Sequence, residues 1–194
     1  MDYSDGGASL PSTGTDAKKR LVRYFYEPEI GNYCYGKQHF MVPNRIRMAH
    51  HLIVRYNIHK HLEMKIPPRT QLKDFASFHS AEYVDFLSSV SPENVNHPSN
   101  KSNVERFNIS KDFPVFEVLI EFCKSSVGGS IGSAVTLNQN DADIAINWAG
   151  GLHHAKKDAA SGFCYVNDIV LGILELLKTH KRVLYIDIDV HHGD

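Results

Sequence analysis

The sequence predicts an α/β fold, and three segments of its last third carry that prediction. Residues 142–148 (ADIAINW) form an apolar strand, 165–178 (YVNDIVLGILELLK) a buried helix, and 182–189 (RVLYIDID) a second apolar strand. Strands this apolar leave no face for water, so the β-loop-α-β unit calls for a parallel sheet covered by helices on both sides. Ligands in such folds bind beyond the carboxyl ends of the strands, where this sequence places two His-rich clusters.

The other elements follow in chain order. Residues 1–17 are small, polar and Gly/Ser-rich, and read as a disordered tail ahead of a single domain spanning 18–194. Lys18-Lys19-Arg20 reads as a solvated edge, and LVRYFY (21–26) as a strand. Ile46, Ala49, Leu52, Ile53 and Tyr56 recur at helical spacing between Asn44 and Tyr56, with His50 and His51 at the surface and boundary of that helix. Ser80 is a helix cap, followed by the stripe Tyr83, Phe86, Leu87 and Val90. Residues 91–113 read as a long surface loop. A helix over 114–125 and a second over GGSIGSAVTL, packed closely through its glycines, complete the middle of the chain.

Composition limits the function. The 194 residues are 42% hydrophobic and 22% charged, with 21 basic against 22 acidic side chains, so no global charge points to nucleic acid and no direct DNA binding is expected. Three separated cysteines suggest no disulfide framework and fit a reducing compartment. No apolar run approaches the roughly 18 residues of a membrane span, so no membrane contact is expected. The 12 histidines, three pairs of them adjacent, invite a search for metal or acid–base chemistry.

The segment DIDVHHGD (187–194) is the most informative. Alternation along a strand would project Asp187, Asp189 and His191 to one side. Carboxylates at the end of an apolar strand are costly unless a cation or strong hydrogen bonds compensate them, and a divalent metal is the simplest remedy. Carboxylate oxygen and imidazole nitrogen suit zinc, iron or manganese, whereas the plain alternative is a solvated turn with incidental acids. GGLHH (150–154) adds two imidazoles after an apolar strand, with glycines freeing the backbone for close approach. Histidine is the natural proton carrier near neutral pH, and carboxylates from the next strand are available to orient the pair.

INWAGGLHHAKKDAASGFCYVNDIVLGILELL together with RVLYIDIDVHHGD resembles the catalytic centre of class I histone deacetylases. YFYEPEIGNYCYG, the RIRMAHHL helix, FHSAEYVDFL, RFN and PVFE resemble the same family in the same order, from about residue 20 onward. The resemblance implies an arginase-deacetylase fold, a parallel sheet sandwiched between helices, incomplete over this chain. It implies zinc-dependent hydrolysis of the acetyl amide of N-acetyl-lysine on histone tails, contributing to transcriptional repression in the nucleus with corepressor proteins. Asp189 and His191 match two of the zinc ligands; His153 and His154 match the tandem proton-handling histidines, oriented by Asp187 and Asp194 respectively. Backbone carbonyls of Asp187, Asp189 and His191 match a potassium site. Asp112 matches the rim carboxylate that holds the substrate backbone, Gly162 and Phe163 one tunnel wall, and Arg45 and Cys164 an internal cavity behind the zinc.

The sequence also departs from the family pattern. Phe40, Val42 and Asn44 stand where Pro, Lys and His are usual, and Val42 has no ammonium for inositol phosphate, which puts that coupling in doubt. Ser110-Lys111-Asp112-Phe113-Pro114 replaces a usual Gly-Glu-Asp-Cys-Pro, keeping the aspartate. The resemblance places a further zinc-ligating aspartate and an oxyanion-stabilising tyrosine after Asp194, so 1–194 alone is expected to be unstable or inactive. Two rival readings are a non-catalytic fragment that binds corepressor partners, and a deacetylase of small acetylated amines.

Overall fold

A computed structural model describes residues 19–193, so the proposed tail and Asp194 lie outside the described residues. Among those residues three short strands, β1 (Val22–Phe25), β2 (Glu63–Lys65) and β3 (Ile144–Asn147), form one parallel sheet in the order β2-β1-β3. Tyr24 pairs with Met64 on one side and Ile146 on the other. Alternation along β1 sends successive side chains to opposite faces. Tyr26 stacks flat on His50 with ring centroids 3.7 Å apart, and the Tyr24 hydroxyl lies 3.3 Å from His50 Nδ1. Phe25 points the other way, toward Gly132. Those partners belong to α1 (Asn44–Arg55) and α5 (Leu119–Asn138), so helices cover both faces of the sheet.

The remaining helices are α2 (Leu72–Phe75), α3 (Ala81–Ser89), α4 (Lys101–Arg106) and α6 (Asp168–Leu176). No described helix is long and apolar enough to cross a membrane. The core is strongly aromatic: Phe75, Tyr83 and Phe107 are fully buried, and Tyr35, Phe116, Phe122 and Tyr165 pack ring against ring. Buried phenols need acceptors, and they find them in the backbone. The Tyr83 hydroxyl donates to the carbonyl of Tyr165, and that of Tyr165 to the carbonyl of Pro114.

Several expectations are corrected. The two helices expected after residue 113 are one 20-residue helix, which starts after Val118 in a left-handed conformation (φ +54°). The expected loop at 91–113 contains a short 3-10 turn (Pro98–Asn100) leading into α4, secured by the fully buried Phe107 that follows. Ser80 does sit at the start of α3, but its hydroxyl makes no capping bond; its backbone N–H donates instead to the carbonyl of Lys157. β2 was not foreseen, because Glu63-Met64-Lys65 is exposed and two-thirds charged.

The largest correction concerns 182–189, which is not a strand. Asp187 accepts the N–H of Asp189 at 3.0 Å, and Asp189 accepts the N–H of His191 at 2.8 Å. Carboxylates that capture the N–H two residues on compete locally with a sheet ladder, and they do so here at the end of the segment, from Asp187 to His191.

Candidate active site

Two chain segments meet at the carboxyl end of β3. The first is the turn from Trp148 to His154. Gly151 adopts φ +87°, a conformation that disfavours any other residue. Gly150 is required by space: a Cβ there would lie 2.1 Å from a carboxylate oxygen of Asp168. Asp168, 1% exposed on the first turn of α6, accepts the N–H of Gly151 at 3.1 Å and of Leu152 at 2.8 Å. It also accepts the hydroxyl of Ser130 at 2.5 Å. Burial raises its pKa above the usual carboxylate value, while these hydrogen bonds act in the opposite direction.

Asn167 caps α6 by accepting the N–H of Val170, and its amide donates to the carbonyls of His153 and Ala155. Its own N–H donates to His79 Nε2 at 3.0 Å, while His79 Nδ1 lies 3.1 Å from the carbonyl of Lys157. That pattern assigns the His79 proton to Nδ1 and leaves no room for a second. Burial accordingly lowers its pKa to about 4. The unfolded chain protonates His79 first, so this stability is complete above about pH 6.5 and is lost as pH falls toward 4, by up to about 3 kcal/mol. Urea midpoints measured from pH 7 to pH 4 should therefore fall more steeply for the natural chain than for His79→Phe. Equal slopes would sink this assignment.

The second segment brings Asp187 to the first. His153 Nδ1 lies 2.7 Å from Asp187 Oδ2, which also accepts the Tyr185 hydroxyl at 2.5 Å. The bond from Tyr185, then that from the Asp189 N–H and that from His153, hold the Asp187 pKa down to about 2. A carboxylate at Nδ1 assigns that nitrogen the proton of the neutral ring and leaves Nε2 to the cleft. Asp189 and His191 form a second pair, with His191 Nδ1 2.7 Å from Asp189 Oδ1. The two pairs are adjacent, since His153 Nε2 lies 3.7 Å from Asp189 Oδ1. His154, 8% exposed, lies beside them, its ring centroid 4.0 Å from that of His153 and 5.9 Å from that of His191.

An open cleft of about 350 Å³ is lined by His153, His154, Asp189 and His191 together with Phe40, Met41, Arg45, Gly162, Phe163 and Cys164. Gly162, at φ +49°, lies flat against the His154 ring, where a Cβ would come within 2.1 Å of it. Phe163 follows at φ +65°, its carbonyl held by the Tyr35 hydroxyl. Arg45 and Cys164 line this same open cleft. Asp112 is exposed and sits to one side, its carbonyl 3.1 Å from His39 Nε2. His39 Nδ1 accepts the N–H of Met41, so Nε2 is the donor to Asp112, and the His39 ring meets Phe163 edge-on.

Among the described residues, no group of three or more His, Cys, Asp or Glu side chains could hold a metal ion. Asp189 and His191 nonetheless bring oxygen and nitrogen donors of the kinds zinc takes to one edge of the cleft. Sequence reasoning missed Asp168, Asn167, His79, Tyr185 and His39. Only Asn167 left a readable signal, an Asn before an apolar helix.

The pattern of the histone deacetylase domain matches residues 39–194. Histone deacetylase 6 of Arabidopsis thaliana is 64% identical over 194 residues, the whole of this chain and 41% of that protein. Histone deacetylase 1 of Homo sapiens is 53% identical over 180 residues, covering 93% of this chain and 37% of its own length. Histone deacetylase 7 of Arabidopsis thaliana is 56% identical over 183 residues, 92% of this chain and 45% of that protein. The chain thus spans about two fifths of the length of the curated relatives it matches. The parallel sheet between helices is part of the arginase-deacetylase fold, and the chain belongs to the histone deacetylase family, in its class I branch.

Proposed function

We propose that this chain contributes the proton-handling half of a zinc-dependent lysine deacetylase that acts on acetylated histone tails. The observation that carries this reading is His153, paired with Asp187 at 2.7 Å and lining one cleft with Asp189 and His191. Asp187 holds His153 with Nε2 toward the cleft, ready to take a proton from an attacking water. His154, packed against Gly162, is placed to return a proton to the departing lysine amine. Gly162 and Phe163 form a wall for the apolar stem of acetyl-lysine, whose polar ends stay near water and the Asp112 rim. Asp189 and His191 would contribute ligands to a zinc, whose chemistry when bound would be to polarise an amide carbonyl and acidify a water. Nuclear location, repression of transcription and corepressor partners belong to the same reading.

Purified together with the further zinc-ligating aspartate and oxyanion-stabilising tyrosine that the resemblance implies, the protein should release acetate from acetyl-lysine histone peptides, lose that activity to a zinc chelator, and regain it with added zinc, whereas 1–194 alone should not turn over. Turnover that survives chelation would sink the zinc role. Turnover of small acetylated polyamines without turnover of peptides would sink the histone reading. Binding of corepressor proteins with no turnover of either would favour a non-catalytic role.

A further inference from the structure

We propose that Asp168 is a positioning residue for the tandem histidines, acting through the backbone of the turn that carries them. The proposal rests on the deacetylase reading for its kinetic consequence, though not for its structural one.

A carboxylate 1% exposed is costly unless its lone pairs are used. Three donors offset that cost. Oδ2 accepts the Gly151 N–H and the Ser130 hydroxyl, and Oδ1 accepts the Leu152 N–H. The location, on the first turn of the nine-residue α6, adds the favourable end of a helix dipole. Ser130 is itself fixed, because Asn147 at the end of β3 donates to its Oγ at 3.0 Å and to the carbonyl of Ser126 at 2.9 Å. One carboxylate therefore ties together α5, the end of β3, the start of α6 and two successive N–H groups just before His153.

That placement sets the histidines. From Leu152, whose N–H is held, the chain has one residue to reach His153, and the His153 carbonyl is held again by Asn167 next to Asp168. The His153 ring must then meet Asp187 at 2.7 Å, a distance that tolerates little rotation of the turn. Asparagine at 168 keeps the shape but turns one acceptor oxygen into an N–H donor, which would face a donor it cannot satisfy. The turn relaxes, and the His153–Asp187 alignment goes with it.

The test compares Asp168→Asn with two controls in the full chain. Leu171→Ala, on the same helix and 2% exposed, weakens the core without touching the turn. Ser130→Ala removes one of the three donors and is the milder variant should Asp168→Asn fail to fold. Amide hydrogen exchange at Gly151 and Leu152 should accelerate at least tenfold in Asp168→Asn, and measurably in Ser130→Ala, beyond what the fall in global stability explains. In Leu171→Ala it should follow global stability alone. In the active protein, Asp168→Asn should lower kcat at least tenfold with KM within twofold, because Phe163 and Asp112 are untouched. Exchange that tracks global stability in all three variants overturns the proposal. Accelerated exchange with unchanged kcat also overturns it as a statement about catalysis. A natural protein with no turnover would sink the deacetylase reading and leave the exchange result to decide the structural claim.

Discussion

His153→Ala is expected to lower kcat/KM for an acetyl-lysine peptide by about 10²–10⁴-fold, the usual contribution of a positioned acid–base group. The loss should fall mainly on kcat, because the ring presents Nε2 to the reaction and contributes little of the wall that holds the lysine stem. Asp187→Asn should give a smaller loss of the same kind. An amide at 187 can donate to the ring nitrogen as well as accept from it, so the tautomer that leaves Nε2 unprotonated is no longer imposed. Thermal melting and steady-state kinetics on both variants are the relevant measurements. If His153→Ala retains more than a tenth of natural kcat, the imidazole is not the proton carrier.

Gly150→Ala is expected to be the most damaging single methyl in the turn. The added carbon would stand 2.1 Å from an Asp168 oxygen, 2.7 Å from Ser130 Oγ and 2.9 Å from Asn147 Nδ2. No rotamer change relieves all three, so the carboxylate must give up its donors or the turn must move. Overpacking and the exposure of unpaired polar groups together cost about 3 kcal/mol or more. Gly151→Ala is the informative comparison. It has nothing within 4 Å of the new carbon and suffers only the left-handed backbone, a cost of about 1–2 kcal/mol. Chemical denaturation of both variants should rank Gly150→Ala well below Gly151→Ala, and the reverse order would refute the steric account.

Much of this architecture was legible in the residues. β1, α1, α3, β3 and α6 each announce themselves through an apolar strand or a helical stripe, because burial on one face leaves a period in the sequence. The elements that escaped lack that imprint. β2 is a charged, exposed edge, and α4 is a short polar helix whose stability comes from Phe107 just beyond it. The segment 182–189 has the apolar content of a strand, yet it is not one, and at its end Asp187 and Asp189 accept the N–H groups two residues on.

At the site, Asp187, Asp189 and His191 stood out because adjacent acids and imidazoles in an apolar setting require compensation. Asp168 did not, since an acid on the first turn of a helix reads as ordinary dipole complementation. Its actual role depends on a turn some 17 residues earlier, and nothing in local sequence records that distance. His79 escaped for the same reason, being joined to Asn167 across 88 positions.

The ties that hold the turn have a consequence for how this stretch can change over evolutionary time. Between Gly150 and Asp168 the backbone is secured at Gly151, Leu152, His153 and Ala155 by the side chains of Asn167 and Asp168 at the stretch's own far end, and at Lys157, Ala160 and Asn167 by His79, Ser80 and Phe107 elsewhere in the molecule. An inserted or deleted residue anywhere in that span would put every later tie out of step. The segment can therefore drift in residue type, but it is held to a fixed length, like a ruler whose graduations are hydrogen bonds.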